Sequence, residues 1–264
     1  MKIVVLAKQV PDTHNVTADA MNADGTVNRA ALPTVFNPED LQALEMALTV
    51  KDRIAGSTVT VITMGPPRAA EIIKDSRYRG ADDGFVLSDM RFAGADTLAT
   101  SYAISQAVAS LGKVDLIFCG RQAIDGDTAQ VGPQVAEKLE LPQITYAEEL
   151  VAVNEKDITI RRRLEHGTEK VQAHLPALVT VTSAAPECRY PHAHRLLRYA
   201  KEEVPVRTAD SIDVDLERLG MKGSPTKVKK IENVVLAHKE SVVLEPTAEA
   251  LDSLSRTLIA EHIL

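Results

Sequence analysis

The stretch Gly120-Arg121-Gln122-Ala123-Ile124-Asp125-Gly126-Asp127-Thr128-Ala129-Gln130-Val131-Gly132-Pro133 concentrates the residues of this chain that could hold an anion. It follows a short apolar run and so reads as a loop leading from a strand into a helix. Gly120 and Gly126 permit tight turns and close backbone approach. Asp127, with Gln130 three residues on, has the spacing of an N-cap and its capping-box partner. Such a loop presents unpaired N–H groups and the positive end of a helix dipole, which suits a phosphate. The same residues equally fit an ordinary strand-to-helix connection. GxxxxGK followed by Ser or Thr is absent, and no GxGxxG follows the first strand, so neither a Walker-type NTPase nor a Rossmann dehydrogenase is supported. Asp125 and Asp127 would repel a pyrophosphate unless engaged elsewhere; capping and sugar-binding roles are expected of them. Arg121 either compensates phosphate charge or is a solvated surface arginine.

Other reactive side chains carry less. Cys119 and Cys188 are the two cysteines, and they form no CxxC or Cys/His ligand spacing; zinc and dithiol chemistry have no candidate, and two reduced thiols in a cytosolic protein are expected. His192 and His194 have no third ligand nearby, and no metal is expected.

A loop of this kind must be positioned by a sheet. Ile3 to Ala7, Val59 to Met64, Phe85 to Leu87 and Asp115 to Cys119 are short apolar runs of the kind buried on both faces. Between them, Leu41, Leu44, Ala47 and Leu48 recur at helical spacing from about Pro38 to Ile54. Ala69, Ile72 and Ile73, and then Leu98, Tyr102, Ile104 and Val108, mark two more helices. Alternating strands and helices predict right-handed βαβ units and a mostly parallel, doubly wound α/β sheet. Ligands of such sheets lie beyond the carboxyl ends of the strands. That places Lys8 to Asp12, then Gly65 to Pro67, beside the Gly120 loop.

From Glu148 the period changes to two. Val151, Val153, Ile158 and Ile160 flank a turn at Asn154 to Asp157, and His166-Gly167 marks another, which predicts an antiparallel hairpin addition leading into Leu178 to Val181. Beyond Ala184 long periodic runs stop until a helix over about Thr247 to Ala260. We therefore expect an α/β domain over residues 1–183 and, over 184–264, a C-terminal arm that packs on another protein.

Composition bounds the function. The 264 residues carry 30 Lys and Arg against 37 Asp and Glu, a net charge of −7, which argues against a nucleic-acid partner. Apolar runs are too short for a signal peptide or a membrane span, so a soluble cytoplasmic protein is expected. There is no Trp, and Phe and Tyr number 4 and 5, too few for an extensive aromatic cage.

Lys8-Gln-Val-Pro-Asp12, Asn37-Pro-Glu-Asp40, Met64-Gly-Pro66 and the Gly120 to Pro133 block, followed by Leu175-Pro-Ala-Leu-Val-Thr180 and Arg189-Tyr-Pro191, resemble the beta subunit of the electron-transfer flavoproteins over roughly residues 1 to 235. The resemblance implies an adenine-nucleotide alpha-hydrolase-like fold and a heterodimer whose alpha subunit carries a flavin. It implies ligand contacts at Leu6, Ala7, Lys8, Asn37, Asp40, Met64, Gly65 and Gly120 through Gly132. Mitochondrial-type members hold AMP and have larger or charged residues where this chain has Gly126, Thr128 and Ala129. The form found here resembles the bifurcating members, which hold FAD and take hydride from NADH. One electron would pass by the alpha-subunit flavin to an acyl-CoA dehydrogenase, the other to a low-potential acceptor such as ferredoxin or flavodoxin. A carrier with structural AMP is the alternative within the family, and a stand-alone adenine-nucleotide sensor or ATP-using enzyme the alternative outside it.

The resemblance also puts partner recognition at Arg189, Tyr190, Leu196 and Leu197, although this chain has His192-Ala-His194 where the family usually has a leucine. Leu196 and Leu197 either anchor the partner or pack on their own domain. Arg161-Arg162-Arg163 falls on a predicted strand with Arg162 opposite its neighbours. It is either close to the alpha-subunit flavin or a solvated basic edge. Lys227, Lys229 and Lys230 form a basic patch that is either solvated or steers an acidic partner.

Overall fold

The computed structural model describes residues 1–12, 33–226 and 243–263. Strands β1 (Lys2–Leu6), β4 (Thr58–Met64), β5 (Asp83–Leu87), β6 (Leu116–Gly120) and β10 (Ala177–Val181) run parallel in the centre of a nine-stranded sheet. Its order is β11-β5-β4-β1-β6-β10-β7-β8-β9, with β7 (Gln143–Val153), β8 (Asp157–Leu164), β9 (Gly167–His174) and β11 (Val206–Arg207) completing it. The strand expected as a continuation of the hairpin, β10, inserts instead between β6 and β7 and is parallel to both. In this sheet β8 alone runs against the others, antiparallel to β7 on one side and to β9 on the other. A separate antiparallel pair, β2 (Gln9–Pro11) and β3 (Thr34–Phe36), leads into the first helix.

Successive residues of each central strand face opposite layers, which is why these strands read as unbroken apolar runs. Ile3, Val5, Val59, Val61, Leu116 and Phe118 pack under α1 (Pro38–Arg53) and α2 (Ala70–Arg79) through Leu44, Leu48 and Ile73. Val4, Leu6, Ile62, Ile117 and Cys119 pack under α3 (Thr97–Ala109) and α4 (Val131–Lys138) through Tyr102, Ala107 and Val135. The chain winds from β1 through α1 to β4 on one side, then crosses by α3 to β6 on the other. The direction of winding therefore reverses between β1 and β6, the place beyond the strands' carboxyl ends where sheets of this kind form a ligand-binding crevice.

The expected boundary at residue 184 is not where the sheet domain ends. The first compact unit runs from Met1 to Lys227. Within it β11 pairs with β5, and Ala209, Ile212 and Leu219 are buried in the layer of α3 and α4. These residues come singly, separated by turns and 3-10 segments, so no periodic run announced them. Helix α5 (Ala193–Tyr199) also belongs to this unit. The second unit, Val228–Leu264, contains α6 (Ala248–Ala260), capped by the Thr247 hydroxyl, which accepts the Ala250 N–H. None of the α6 residues is buried. Among the described residues no helix is long and apolar enough to cross a membrane. Lys227, Lys229 and Lys230 lie outside the described residues.

Candidate functional site

The crevice is organised by the first turn of α1. Pro38 fits the start of the helix, where no N–H partner is required, and Glu39 and Asp40 place carboxylates at the positive end of its dipole. Both side chains turn away from their own helix. Asp40 Oδ2 accepts the Lys8 N–H at 2.8 Å and its Oδ1 accepts the Gly120 N–H at 2.8 Å. One carboxyl thus bridges the ends of β1 and β6 where the winding reverses. Glu39 Oε2 accepts the Gln122 N–H at 3.0 Å. Asn37 is fully buried; its Nδ2 donates to the Gln122 carbonyl at 2.9 Å and its Oδ1 accepts the Ile124 N–H at 3.2 Å. Three side chains of one tetrapeptide therefore fix the backbone from Gly120 to Ile124.

Gly120 is required by this arrangement. A Cβ there would stand 2.5 Å from Asp40 Oδ1 and 2.9 Å from Glu39 Cβ. Burial pushes the Asp40 carboxyl up to about 7, against the opposite pull of the Gly120 and Lys8 N–H groups and the Asn37 amide. The neighbouring Cys119 thiol is raised by burial beside Asp40 and Glu39, and Cys188 is raised by burial to about 12. Both thiols are protonated at neutral pH.

The rest of the loop differs from the expected capping box. Helix α4 begins at Val131, with Gln130 in the cap position and no side-chain cap. Asp127 Oδ1 instead accepts from Gln122 Nε2 at 2.8 Å, and Gln130 Oε1 accepts from the Thr97 hydroxyl at 2.8 Å. Pro133 explains the shift. A helix starting at Thr128 would put Pro133 in its interior, whereas a start at Val131 puts it in the first turn, where its missing N–H is not needed. Asp125 is not a cap either: Lys8 Nζ holds both its oxygens, at 2.7 and 2.8 Å.

Asp127 and Ala129 adopt left-handed φ values of 47° and 52°, conformations that non-glycine residues rarely take. The N–H groups from Thr128 to Gly132 donate to no acceptor among the described residues. Gly132 lets the first turn of α4 settle on the sheet, since a Cβ there would meet Cys119 Sγ at 2.7 Å and Thr180 Cγ2 at 2.9 Å. Gly126 has no such reason: its φ is ordinary, and a Cβ would have no atom within 4 Å.

Of the remaining expected contacts, Leu6 and Ala7 are buried in the two core layers and Met64 is half-buried at the end of β4. Gly65 donates to the Leu87 carbonyl at 3.0 Å. Arg121 is not a freely solvated arginine: its Nη2 lies 3.2 Å from Glu39 Oε1, and its guanidinium faces the ring of Tyr146. Sequence reasoning missed Glu39 as a loop-holding residue and Tyr146 altogether. The first was legible only as part of the Asn37 to Asp40 tetrapeptide.

A family model described as electron transfer flavoprotein domain matches residues 24–212. The electron transfer flavoprotein subunit beta of Clostridium acetobutylicum is 44% identical over 264 residues, covering all of both chains. The chain belongs to the electron transfer flavoprotein beta-subunit family. It is also similar to the caffeyl-CoA reductase-Etf complex subunit CarD of Acetobacterium woodii, 37% identical over 265 residues and all of both chains. The acryloyl-CoA reductase electron transfer subunit gamma of Anaerotignum propionicum is 42% identical over 237 residues, 87% of each chain.

In this electron transfer flavoprotein subunit the residues expected to recognise a partner divide in two. Arg189 is engaged within the chain: its Nη2 lies 2.8 Å from Glu45 Oε1 and 2.9 Å from Asp52 Oδ2, and its N–H donates to Glu45 at 2.9 Å. Tyr190 and Leu197 are 86% and 80% exposed, and Leu196 is exposed as well. The triple arginine is not a bare basic edge. Arg161, Arg162 and Arg163 pair with Glu149, Glu169 and Glu148 at 2.8, 2.8 and 2.6 Å.

Proposed function

We propose that this chain is the beta subunit of a heterodimeric, electron-bifurcating flavoprotein and that it holds FAD in the crevice beyond β1, β4 and β6. The observation that carries this reading is the loop from Gly126 to Gly132. Its N–H groups from Thr128 to Gly132 have no acceptor among the described residues, its left-handed residues turn the backbone, and Gly126 is small with no packing reason to be so. Backbone donors at a helix N-terminus suit a diphosphate. Of the two nearby carboxylates, Asp125 is neutralised by Lys8, and Asp127 is held by Gln122 and stands exposed at the loop where a ribose hydroxyl could reach it. With so few aromatic residues, the flavin would be held mainly by backbone and polar groups.

FAD supplies hydride acceptance from NADH and the release of electrons one at a time, chemistry that no side chain of this protein offers. The residues of this chain would bind and orient it: Asn37, Glu39 and Asp40 fix the loop, whose free amides up to the start of α4 would hold the phosphates together with the Arg121 guanidinium. The heterodimer would oxidise NADH and divide the electrons between an acyl-CoA dehydrogenase-type partner, by way of the alpha-subunit flavin, and ferredoxin or flavodoxin. The exposed Tyr190, Leu196 and Leu197 suit docking of the dehydrogenase. The exposed apolar residues Leu251, Leu254 and Ile259 of α6 suit packing on the alpha subunit. The unpaired cysteines agree with work in the cytoplasm.

The similarity to subunits whose names place them with caffeyl-CoA and acryloyl-CoA reductases supports this reading. Anaerobic titration of the purified heterodimer with NADH tests it. The flavin absorbance is expected to bleach; a heterodimer whose flavins stay oxidised in excess NADH is not of the bifurcating type.

A further inference from the structure

Tyr146 stands beside the crevice at an irregularity of β7 that gives it a strained backbone. It has a φ of 60° within β7, a left-handed conformation strongly disfavoured for a bulky aromatic residue. The register between β10 and β7 shifts at this point, between Val179 and Val181, and β7 is also irregular against β8 between Ala147 and Glu149. The Tyr146 N–H is taken up by the hydroxyl of buried Thr180 at 3.1 Å. Irregularities of this kind re-aim a side chain, and here the ring is delivered to 5.8 Å from the Arg121 guanidinium carbon while remaining 41% exposed. Glycine would adopt this backbone without strain, and a side chain so exposed gains little from burial. On its other edge Arg121 is held by Glu39, leaving Nη1 without an acceptor among the described residues.

We propose that Tyr146 is a positioning residue for Arg121: ring and Glu39 carboxylate together fix the guanidinium at the end of β6, with Nη1 reserved for an anionic group of the bound nucleotide. Arginine has much rotamer freedom to lose, and restraining it before the ligand arrives spares that loss on binding. This rests on the nucleotide-binding reading above.

The test compares wild type, Tyr146→Phe and Tyr146→Gly in the full-length chain purified with an alpha subunit and stripped of nucleotide. Two readouts are taken: the ring-current-shifted NMR signal of Arg121 Nε–H, and affinity for FAD and for AMP. Phenylalanine is expected to preserve both. Glycine is expected to lose the shifted signal and to weaken binding by roughly three- to tenfold, with a melting temperature unchanged or higher because strain is relieved. A glycine variant that keeps either the Arg121 signal or wild-type affinity overturns the proposal. If wild type binds neither probe, the nucleotide reading fails, and the Arg121 signal alone decides whether Tyr146 positions it.

Discussion

Gly126→Leu is expected to leave the fold intact and to weaken FAD binding by about 30-fold or more. The position has an ordinary backbone conformation and open space around it, so stability should change by no more than about 0.5 kcal/mol. A bulky side chain would instead occupy the space in front of the unpaired amides, where the diphosphate is proposed to pass. The smaller AMP, with one phosphate, should lose less. Gly120→Ala is the opposite case. Its Cβ would press on a buried carboxylate and on the Asp40 backbone N, 3.0 Å away, and about 1–3 kcal/mol of stability should be lost. Urea unfolding and nucleotide titration of the two variants separate these outcomes. A Gly126→Leu protein that binds FAD as wild type does would remove the loop from the site.

Asp40→Ala should be the most damaging single change in the crevice, costing about 2–5 kcal/mol, because it leaves the Lys8 and Gly120 N–H groups without an acceptor and opens a buried gap. The conservative Asp40→Asn has a further signature. Burial lifts the carboxyl from 3.8 to about 7 in the folded chain, so between those pH values the folded protein keeps a proton that the unfolded chain has released. The stability this group contributes is complete below about pH 4 and is lost as pH rises through 7. Asparagine does not titrate, so in urea unfolding from pH 4 to 8 the advantage of wild type over Asp40→Asn should shrink steadily. A difference that stays constant contradicts a protonated, buried Asp40.

The parts legible in the sequence are those where one periodic signal decides the structure. Strands β1, β4, β5 and β6 are buried on both faces, so their apolar runs are continuous; α1 shows its Leu44 and Leu48 face at helical spacing. The site loop was located by its glycines and its place after β6. Its geometry was not, because the contacts that shape it are distant in the chain: Asp40 to Gly120, Asn37 to Ile124, Lys8 to Asp125. The false capping box at Asp127 was correctable from sequence, since Pro133 excludes a helix begun that early. Burial of Ile212 and Leu219 was beyond reach, because single apolar residues between turns carry no period. Tyr146 had no local signal; its strain arises from pairing of β7 with β10, where its partner Thr180 is 34 residues away in the chain but adjacent in space.

Family membership removes the ground for a stand-alone adenine-nucleotide sensor and leaves the crevice's ligand as the question on which the account turns. The most direct measurement is the cofactor content of the heterodimer purified without added nucleotide, by extraction and quantitation of flavin and AMP against protein. Two FAD per heterodimer and no AMP is the result expected if the loop from Gly126 to Gly132 holds a diphosphate. One FAD together with one AMP would contradict it.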